Sequence, residues 1–513
     1  MGDSIKTLGQ INGWVDSNST QRIILCVIVV GSLCLLLANL GNQFLWEDEA
    51  QTALVSKTIL TDGVPRGYDG KNFFSQEGGA EYGDNYLWRW HTWLPFYVLA
   101  GFYKIFGVTT FVSRLPFVLF GFGTVLLVYF FAGTLWPKTR IPAIAAGLLA
   151  VSIPFLILSR QCRYYSMAMF FCVLALHAYV AMLSKKRYSA LMLFVVSTLL
   201  FHTQHFYIIS LFAAILLHAA IFGRHILKIL LVVIVVVMLV NGPWLIWLAG
   251  MQYQAKTMNL SELVNCARTF STDIFRFVFP LWLLGLLLVV IIIILAKTKH
   301  FPLRGQGLSF WSNLSLPIFF IVSNIISLSV MAHVPYFRYI APSIPLLIIL
   351  IAAIVYVAGR IHLPLAVLTV VLLFTTTGRI GDYFYEITHD YDGPCEGIAR
   401  YLNEHGNPDD VVAITYGDMV LKFYTNMRIV GGLTGEPIEP AKDARWVIIR
   451  KYVHLDFDAK VRVYLANNVE WSRYRAITIN YPDIPWENRE SPNAHLFRTC
   501  TDEDKVVIYE RVK

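Results

Sequence analysis

Charge is scarce in this 513-residue chain: 15% of residues are Asp, Glu, Lys or Arg, 56% are hydrophobic, and mean hydropathy is +0.56. Soluble domains carry about 25% charged residues, so this balance excludes an ordinary soluble protein and points to a polytopic membrane protein. Cysteine is also sparse, with seven residues and no CxxC pair, which suggests neither a structural zinc site nor a redox dithiol. There is no GxGxxG leading into a βαβ unit and no GxxxxGK[ST], so a nucleotide-binding fold has no support. A basic face interleaved with aromatics on a soluble segment is missing, which removes nucleic acid as a partner. Asp390-Tyr391-Asp392 has the DxD form of metal-dependent nucleotide-sugar transferases. It falls on the side where nucleotide sugars are not expected, and is discounted. The first apolar run, 23–40, lacks a small-residue cleavage site and reads as an anchor. No repeat of fixed period is present.

What the chain does have is apolar runs. Hydropathy gives about eleven candidate spans: 22–43, 113–135, 141–158, 165–183, 190–200, 208–222, 226–249, 274–296, 314–331, 340–357 and 363–377. The run 94–106 is short and broken by Tyr103 and Lys104, which suits an interfacial or re-entrant segment. If it does not cross and the N-terminus is cytoplasmic, the basic clusters Lys138/Arg140, Lys185-Lys186-Arg187, Arg224/Lys228, Lys297/Lys299/Arg304 and Arg360 share the cytoplasmic side. The opposite face then collects acids, histidines, arginines and aromatics, while span interiors stay almost wholly apolar. This reading divides the chain into a membrane domain, residues 1–378 with a large first outer loop 44–112, and an outer domain, residues 379–513.

The outer loop opens with Glu47, Asp48 and Glu49 on a helix-like stretch that could lie flat on a membrane surface. Neighbours on a helix point about 100° apart, so only one of Asp48 and Glu49 can aim into a site while the other packs or pairs. The plainer reading is an acidic helix start meeting the macrodipole. Trp88, Trp90 and Trp93 could line a carbohydrate or lipid groove, or simply belong to the interfacial aromatic belt. Arg160, Arg163 and Arg338 flank membrane boundaries on the same face as Lys256 and His205. Single arginines there commonly snorkel; several beside a carboxylate suggest an anion site. A carboxylate can accept a proton from an acceptor hydroxyl, and cations can neutralise a phosphate leaving group. His202 and His205 could hold a divalent metal, although two histidines with no third ligand evident are a weak signal, and the sequence marks no cofactor as certain.

After residue 377 the composition becomes that of a soluble α/β domain. Helix-like 396–404, strand 411–415, helix-like 418–425, and strand-like 446–450 and 506–510 follow in order. Cys395 and Cys500 near its two ends could form a disulfide in an oxidising compartment, or remain separate buried thiols.

With these residues in view, the chain resembles the membrane-embedded glycosyltransferases that use polyprenyl-phosphate sugars, the protein O-mannosyltransferases and bacterial lipid A aminoarabinose transferases of GT-C fold. The resemblance rests on Asp48-Glu49, His91 with Pro95, Phe106-Gly107, Arg114-Leu115-Pro116, Arg163-Tyr164, 202–206, Pro243-Trp244, and Arg338-Tyr339 with Pro342 and Pro345. It covers roughly residues 22–357. The resemblance implies that Asp48 is the base, Glu49 its helper, and Arg163 and Arg338 ligands of the donor phosphate. Tyr164, His202, His205, Lys256, Tyr339 and His91 join them as candidate substrate-binding residues. Two surface helices in the first outer loop are implied to shape the site. The chain departs from the family in keeping one proline in Thr92-Trp93-Leu94-Pro95, and in having no acid near Arg163-Tyr164. The expectation is a bacterial inner-membrane enzyme facing the periplasm, moving one sugar from an undecaprenyl-phosphate-type donor to a glycan, lipid or protein hydroxyl, with inversion. A lipid-linked oligosaccharide transferase is the nearest alternative. A transporter is the competing class, disfavoured because polar groups crowd one surface rather than the midplane.

Overall fold

The computed structural model describes residues 18–249, 259–296, 307–332, 334–432, 437–451, 456–484, 491–499, 501 and 504–512. Lys256, Lys297, Lys299, Arg304 and Cys500 lie outside them. Helix α1 (Asn18–Leu37) is followed by α2 (Glu47–Asp62), whose first turn carries the three acids. Acids there complement the helix dipole, and the Glu49 carboxylate accepts from the Trp46 N–H at 3.4 Å, satisfying one free donor of the helix start. The helix stops at Gly63, whose φ of 73° is left-handed and whose N–H bonds to Ile59 O.

A helix lying flat on a membrane would leave one face open, and α2 does not. Residues from Glu47 to Thr58 are buried almost throughout. Helix α3 (Leu94–Phe106) packs on one side, and a helix of the C-terminal domain covers another. At 13 residues α3 spans about 20 Å, short of the ~30 Å hydrocarbon core.

The membrane body continues through α4 (Thr110–Leu135), α5 (Ile141–Ala150), α6 (Ile153–Ser159), α7 (Tyr165–Leu183), α8 (Ser189–Thr203), α9 (Phe206–Phe222) and α10 (Leu227–Ala249). Then come α11 (Leu260–Phe277), α12 (Trp282–Ala296), α13 (Gly307–Met331), α14 (Ile344–Ile361) and α15 (Leu363–Thr377). Among the described residues five helices are long and apolar enough to cross alone, and eight if each bent pair counts as one span. Two expected spans are broken. The 141–158 run bends by 62° between α5 and α6, where Pro154 starts a new helix without an N–H to offer. The 274–296 run begins inside α11, a helix with charged residues on one face, and turns by 75° before α12, around Pro280. Span interiors are not wholly apolar either. Ser210 donates to Asn324, which donates to Ser343, and His218 bonds Tyr179 and Ser312. These groups are internally satisfied, as the bilayer demands.

Helix α16 (Ile380–Thr388) leaves α15 at 66° and leads to the C-terminal domain. There α17 (Pro394–His405), β1 (Val411–Ile414), α18 (Asp418–Tyr424), β2 (Arg428–Gly431), β3 (Trp446–Ile448), α19 (Asp456–Asn468), β4 (Tyr474–Pro482) and β5 (Lys505–Arg511) form one sheet in the order β2-β1-β3-β5-β4. The first three strands are parallel, with Val412 beside Ile429 and Trp446, and β5 and β4 run antiparallel. Val412, Ile414, Ile429 and Ile448 face one apolar cluster; Ala413, Val430 and Val447 face the other. Period-two alternation thus buries both faces of the parallel part. Cys395 is buried in α17, its Sγ 3.6 Å from Arg450 Nη1.

Candidate functional site

The two acids on α2 diverge as helix geometry requires. Glu49 turns into the body, where Arg114 of α4 meets it through Nε at 2.9 Å and Nη2 at 2.7 Å, and the Cys162 N–H donates at 2.6 Å. Arg114 spends its remaining N–H groups on the carbonyls of Leu40, Gln43 and Phe44. Glu49 therefore fixes the start of α2 against α4 and the α6–α7 connection.

Asp48 turns the other way. Its Oδ2 accepts from Arg338 Nη1 at 2.6 Å and lies 3.5 Å from Arg163 Nη2. Both guanidinium groups are about nine-tenths buried, as is Asp48. Arg163 is further anchored to α2, donating to Asp48 O at 3.1 Å and Thr52 Oγ1 at 2.9 Å. Arg338 lies over the rings of Tyr336, at 4.3 Å, and Tyr339, at 5.6 Å. Stacking and a carboxylate fix the plane of a guanidinium fork, the donor geometry that matches phosphate.

A second carboxylate, Glu77, is solvent-exposed yet within electrostatic reach of this pair: partial desolvation and the charge of Asp48 push its carboxyl up from its ordinary value, and Arg338 opposes the shift. Glu77 lies in the irregular loop between Gly63 and Trp93, beside Gly78-Gly79, where no periodicity marks it. Glu81 organises that loop. It is buried and accepts from Gln51 Nε2 at 3.2 Å, from Ser75 Oγ, and from the N–H groups of Gln76 at 2.6 Å and Glu77 at 3.1 Å. Burial raises its carboxyl to about 7. Because Gln51 belongs to α2, the loop carrying Glu77 is tied to the helix carrying Asp48.

Neutral polar groups fill the space behind Arg163. The His91 ring lies 5.1 Å from Phe96 and 6.4 Å from Tyr164, and its Nε2 is buried with no hydrogen-bond partner among the described residues. Burial, reinforced by the charge of Arg163, lowers His91 to about 3, and burial lowers His205 to about 4. Both imidazoles are uncharged near neutral pH. Tyr164 packs on Tyr165 and Tyr207, whose hydroxyls are likewise buried without partners among the described residues. Such atoms are costly unless a ligand or water meets them.

His202 does not join this group. Its ring packs edge-on to Trp244 at 5.1 Å, and Trp244 belongs to a cluster with Trp93 and Trp247, capped by Arg89 over Trp247 at 4.7 Å. Of the tryptophans expected at a groove, Trp88 is fully buried and packs on Phe96. Among the described residues no three His, Cys, Asp or Glu side chains gather as a metal site. The structure thus brings Asp48, Arg163, Arg338, Tyr164, Tyr339 and His91 together, adds Glu77, Tyr165, Tyr207 and Tyr336, and leaves His202 aside.

Residues 90–247 match the family model of dolichyl-phosphate-mannose-protein mannosyltransferases, a segment that includes His91, Arg114 and Arg163 but neither Asp48 nor Arg338. No curated protein sequence matches the chain. In fold, the chain is similar to ArnT from Cupriavidus metallidurans, with a TM-score of 0.54 and 14% identity to the crystal structure bound to undecaprenyl phosphate, over 97% of this chain and 98% of that one. The apo crystal structure of the same protein gives a TM-score of 0.54 and 14% identity over 98% of both chains. The chain is thus an integral membrane protein with an ArnT-like GT-C fold.

Proposed function

We propose that the protein moves a single sugar from an undecaprenyl-phosphate-like donor to a hydroxyl of a glycan, lipid or protein acceptor on the outer side of a bacterial inner membrane. One observation carries this reading: a buried carboxylate, Asp48, held by two arginines, one in contact at 2.6 Å and the other at 3.5 Å. A general base and a phosphate cradle then occupy one site, and the ArnT of like fold was crystallised with undecaprenyl phosphate bound.

In this mechanism the donor phosphate competes with Asp48 for Arg338 and Arg163. Guanidinium forks bind phosphate bidentately, and their turn toward the donor frees the Asp48 carboxylate. Asp48 then accepts the acceptor's hydroxyl proton while that oxygen attacks the anomeric carbon. The carbon–oxygen bond to phosphate breaks, its electron pair leaves with the lipid phosphate, and the arginines neutralise the added charge. Attack opposite the leaving group inverts the anomeric centre. Glu49 takes no proton and holds α2 in place through Arg114. His91, Tyr164, Tyr165 and Tyr207 present uncharged hydrogen-bonding groups suited to sugar hydroxyls, and Tyr339 backs Arg338.

Purified protein incubated with radiolabelled undecaprenyl-phosphate sugars and a mixed envelope-glycan acceptor tests the reading. Label moving to acceptor, with free undecaprenyl phosphate appearing in equal amount, is the expected result. Binding of such lipids without release or transfer across a donor panel would contradict it.

A further inference from the structure

The C-terminal domain touches the two segments that frame the site. Upstream of α2, the Phe44 N–H donates to Glu396 Oε1 at 3.0 Å, and the Leu45 N–H donates to the Tyr424 hydroxyl at 3.0 Å. The Phe44 ring stacks on Tyr424 with centroids 3.5 Å apart and planes 8° apart. The same Tyr424 hydroxyl bonds Thr110 Oγ1 at 2.7 Å, at the start of the helix that carries Arg114. The Phe44 carbonyl is meanwhile held by Arg114 Nη2. Residues 44 and 45 are therefore gripped from the membrane body and from the C-terminal domain at once, immediately before the α2 cap at Trp46.

The second contact is at the loop. Asn72 donates through Nδ2 to Met427 O at 3.0 Å and accepts from the Ile429 N–H at 2.9 Å, pairing with the edge strand β2 as a backbone amide would. Lys71 Nζ donates to Pro408 O at 2.6 Å. These anchors precede Glu77 by a few residues and stand opposite its other tether, Glu81.

We infer that the C-terminal domain positions the reacting carboxylate, with Tyr424 and Glu396 setting the start of the Asp48 helix and Asn72 setting the adjoining loop that Glu81 ties to that helix. This rests on Asp48 being the base. Proton transfer demands heavy-atom separations near ~3 Å, and displacements of about 1 Å can cost on the order of a hundredfold in rate. The α2 cap at Trp46 stands two residues before Asp48, so a displacement there would reach the carboxylate within the first turn of the helix. Tyr424 and Glu396 act through Leu45 and Phe44, and neither reaches the reacting atoms.

The test uses the full chain with Tyr424→Phe, which keeps the stacked ring and removes the hydroxyl, and Glu396→Ala with Glu396→Gln as the conservative partner. The expected result is a kcat per folded molecule about tenfold lower in Tyr424→Phe and Glu396→Ala, with undecaprenyl-phosphate affinity unchanged. Glu396→Gln, which keeps an acceptor oxygen, should restore kcat. Amide hydrogen exchange should also quicken over residues 45–52 in both deleterious variants, a readout that needs no turnover. A purely structural role would lower the midpoint and leave kcat per folded molecule unchanged; that outcome, or unaltered exchange over 45–52, overturns the inference. If wild type shows no transfer with any donor, the functional reading fails, while the exchange result still decides whether the domain holds α2. Should Tyr424→Phe not fold, Asn72→Ala tests the same coupling through the loop.

Discussion

Removing Arg114 should damage the protein more than any other single change near the site, and the structure gives the size. The guanidinium has five N–H groups, and five contacts use them: two on Glu49 and one each on Leu40, Gln43 and Phe44 carbonyls. Arg114→Ala leaves Glu49 buried and without its cation. Breaking one side of a buried pair costs about 3–5 kcal/mol, and three carbonyls lose a donor as well. Arg114→Lys restores the charge but brings only three donors, so at least two of the five contacts are lost, at about 1–3 kcal/mol each. Denaturant titration in detergent micelles should place the order wild type, Lys, Ala, with the alanine variant down by at least about 3 kcal/mol. In a double-mutant cycle, Glu49→Leu should cost less in the Arg114→Ala background than alone, by more than about 1 kcal/mol, because the stranded carboxyl group is gone. An alanine variant within about 1 kcal/mol of wild type, or strict additivity in the cycle, would refute the reasoning.

Other outcomes follow from the same geometry. Arg338→Ala should weaken undecaprenyl-phosphate binding by about ten- to a hundredfold, the value of a lost charge-assisted hydrogen bond, when measured by lipid competition; unchanged affinity would return Arg338 to a purely structural part. Glu81 should make stability fall as pH rises. Its folded value of about 7 exceeds the ordinary 4.5, so between those values the folded chain keeps a proton that the unfolded chain has released. The cost of burying the charge is absent below that window and complete above it. Glu81→Gln should lose this pH dependence while being less stable overall, since its amide N–H groups would face donors; midpoints taken on either side of the window check both.

The membrane body is legible in the sequence because an apolar run of span length has little else it can stably do than cross a bilayer, and Asp48 stands out because acids are rare in this chain. The breaks inside two runs are carried by Pro154 and Pro280, residues that apolarity alone passes over. The partner of Glu49 lies 65 positions away on α4. Its signal is present all the same: an arginine in an otherwise apolar helix must find a counter-charge. Arg163 and Arg338 are marked by resemblance and by sharing a face with Asp48. Glu77 and Glu81 belong to an irregular loop whose contacts are made by tertiary folding, so no spacing could reveal them. Strand β4 is largely exposed, which blurs the alternation that marks a strand. His202 and His205 are close in sequence, but the chain leaves α8 between them, and although both rings lie near Phe201, His202 packs on to Trp244 and His205 on to Phe206.

The most direct test measures sugar release from radiolabelled undecaprenyl-phosphate donor by wild type and Asp48→Asn side by side, together with the lipid affinity and the denaturation midpoint of each. Asn keeps the shape and a carbonyl acceptor for Arg338 but cannot hold the acceptor's proton as a base. The expected result is a loss of at least about a hundredfold in turnover, within the usual range for a general base, in a variant that is folded and still binds the lipid. Turnover within a few-fold of wild type in Asp48→Asn would contradict the central claim that Asp48 is the base.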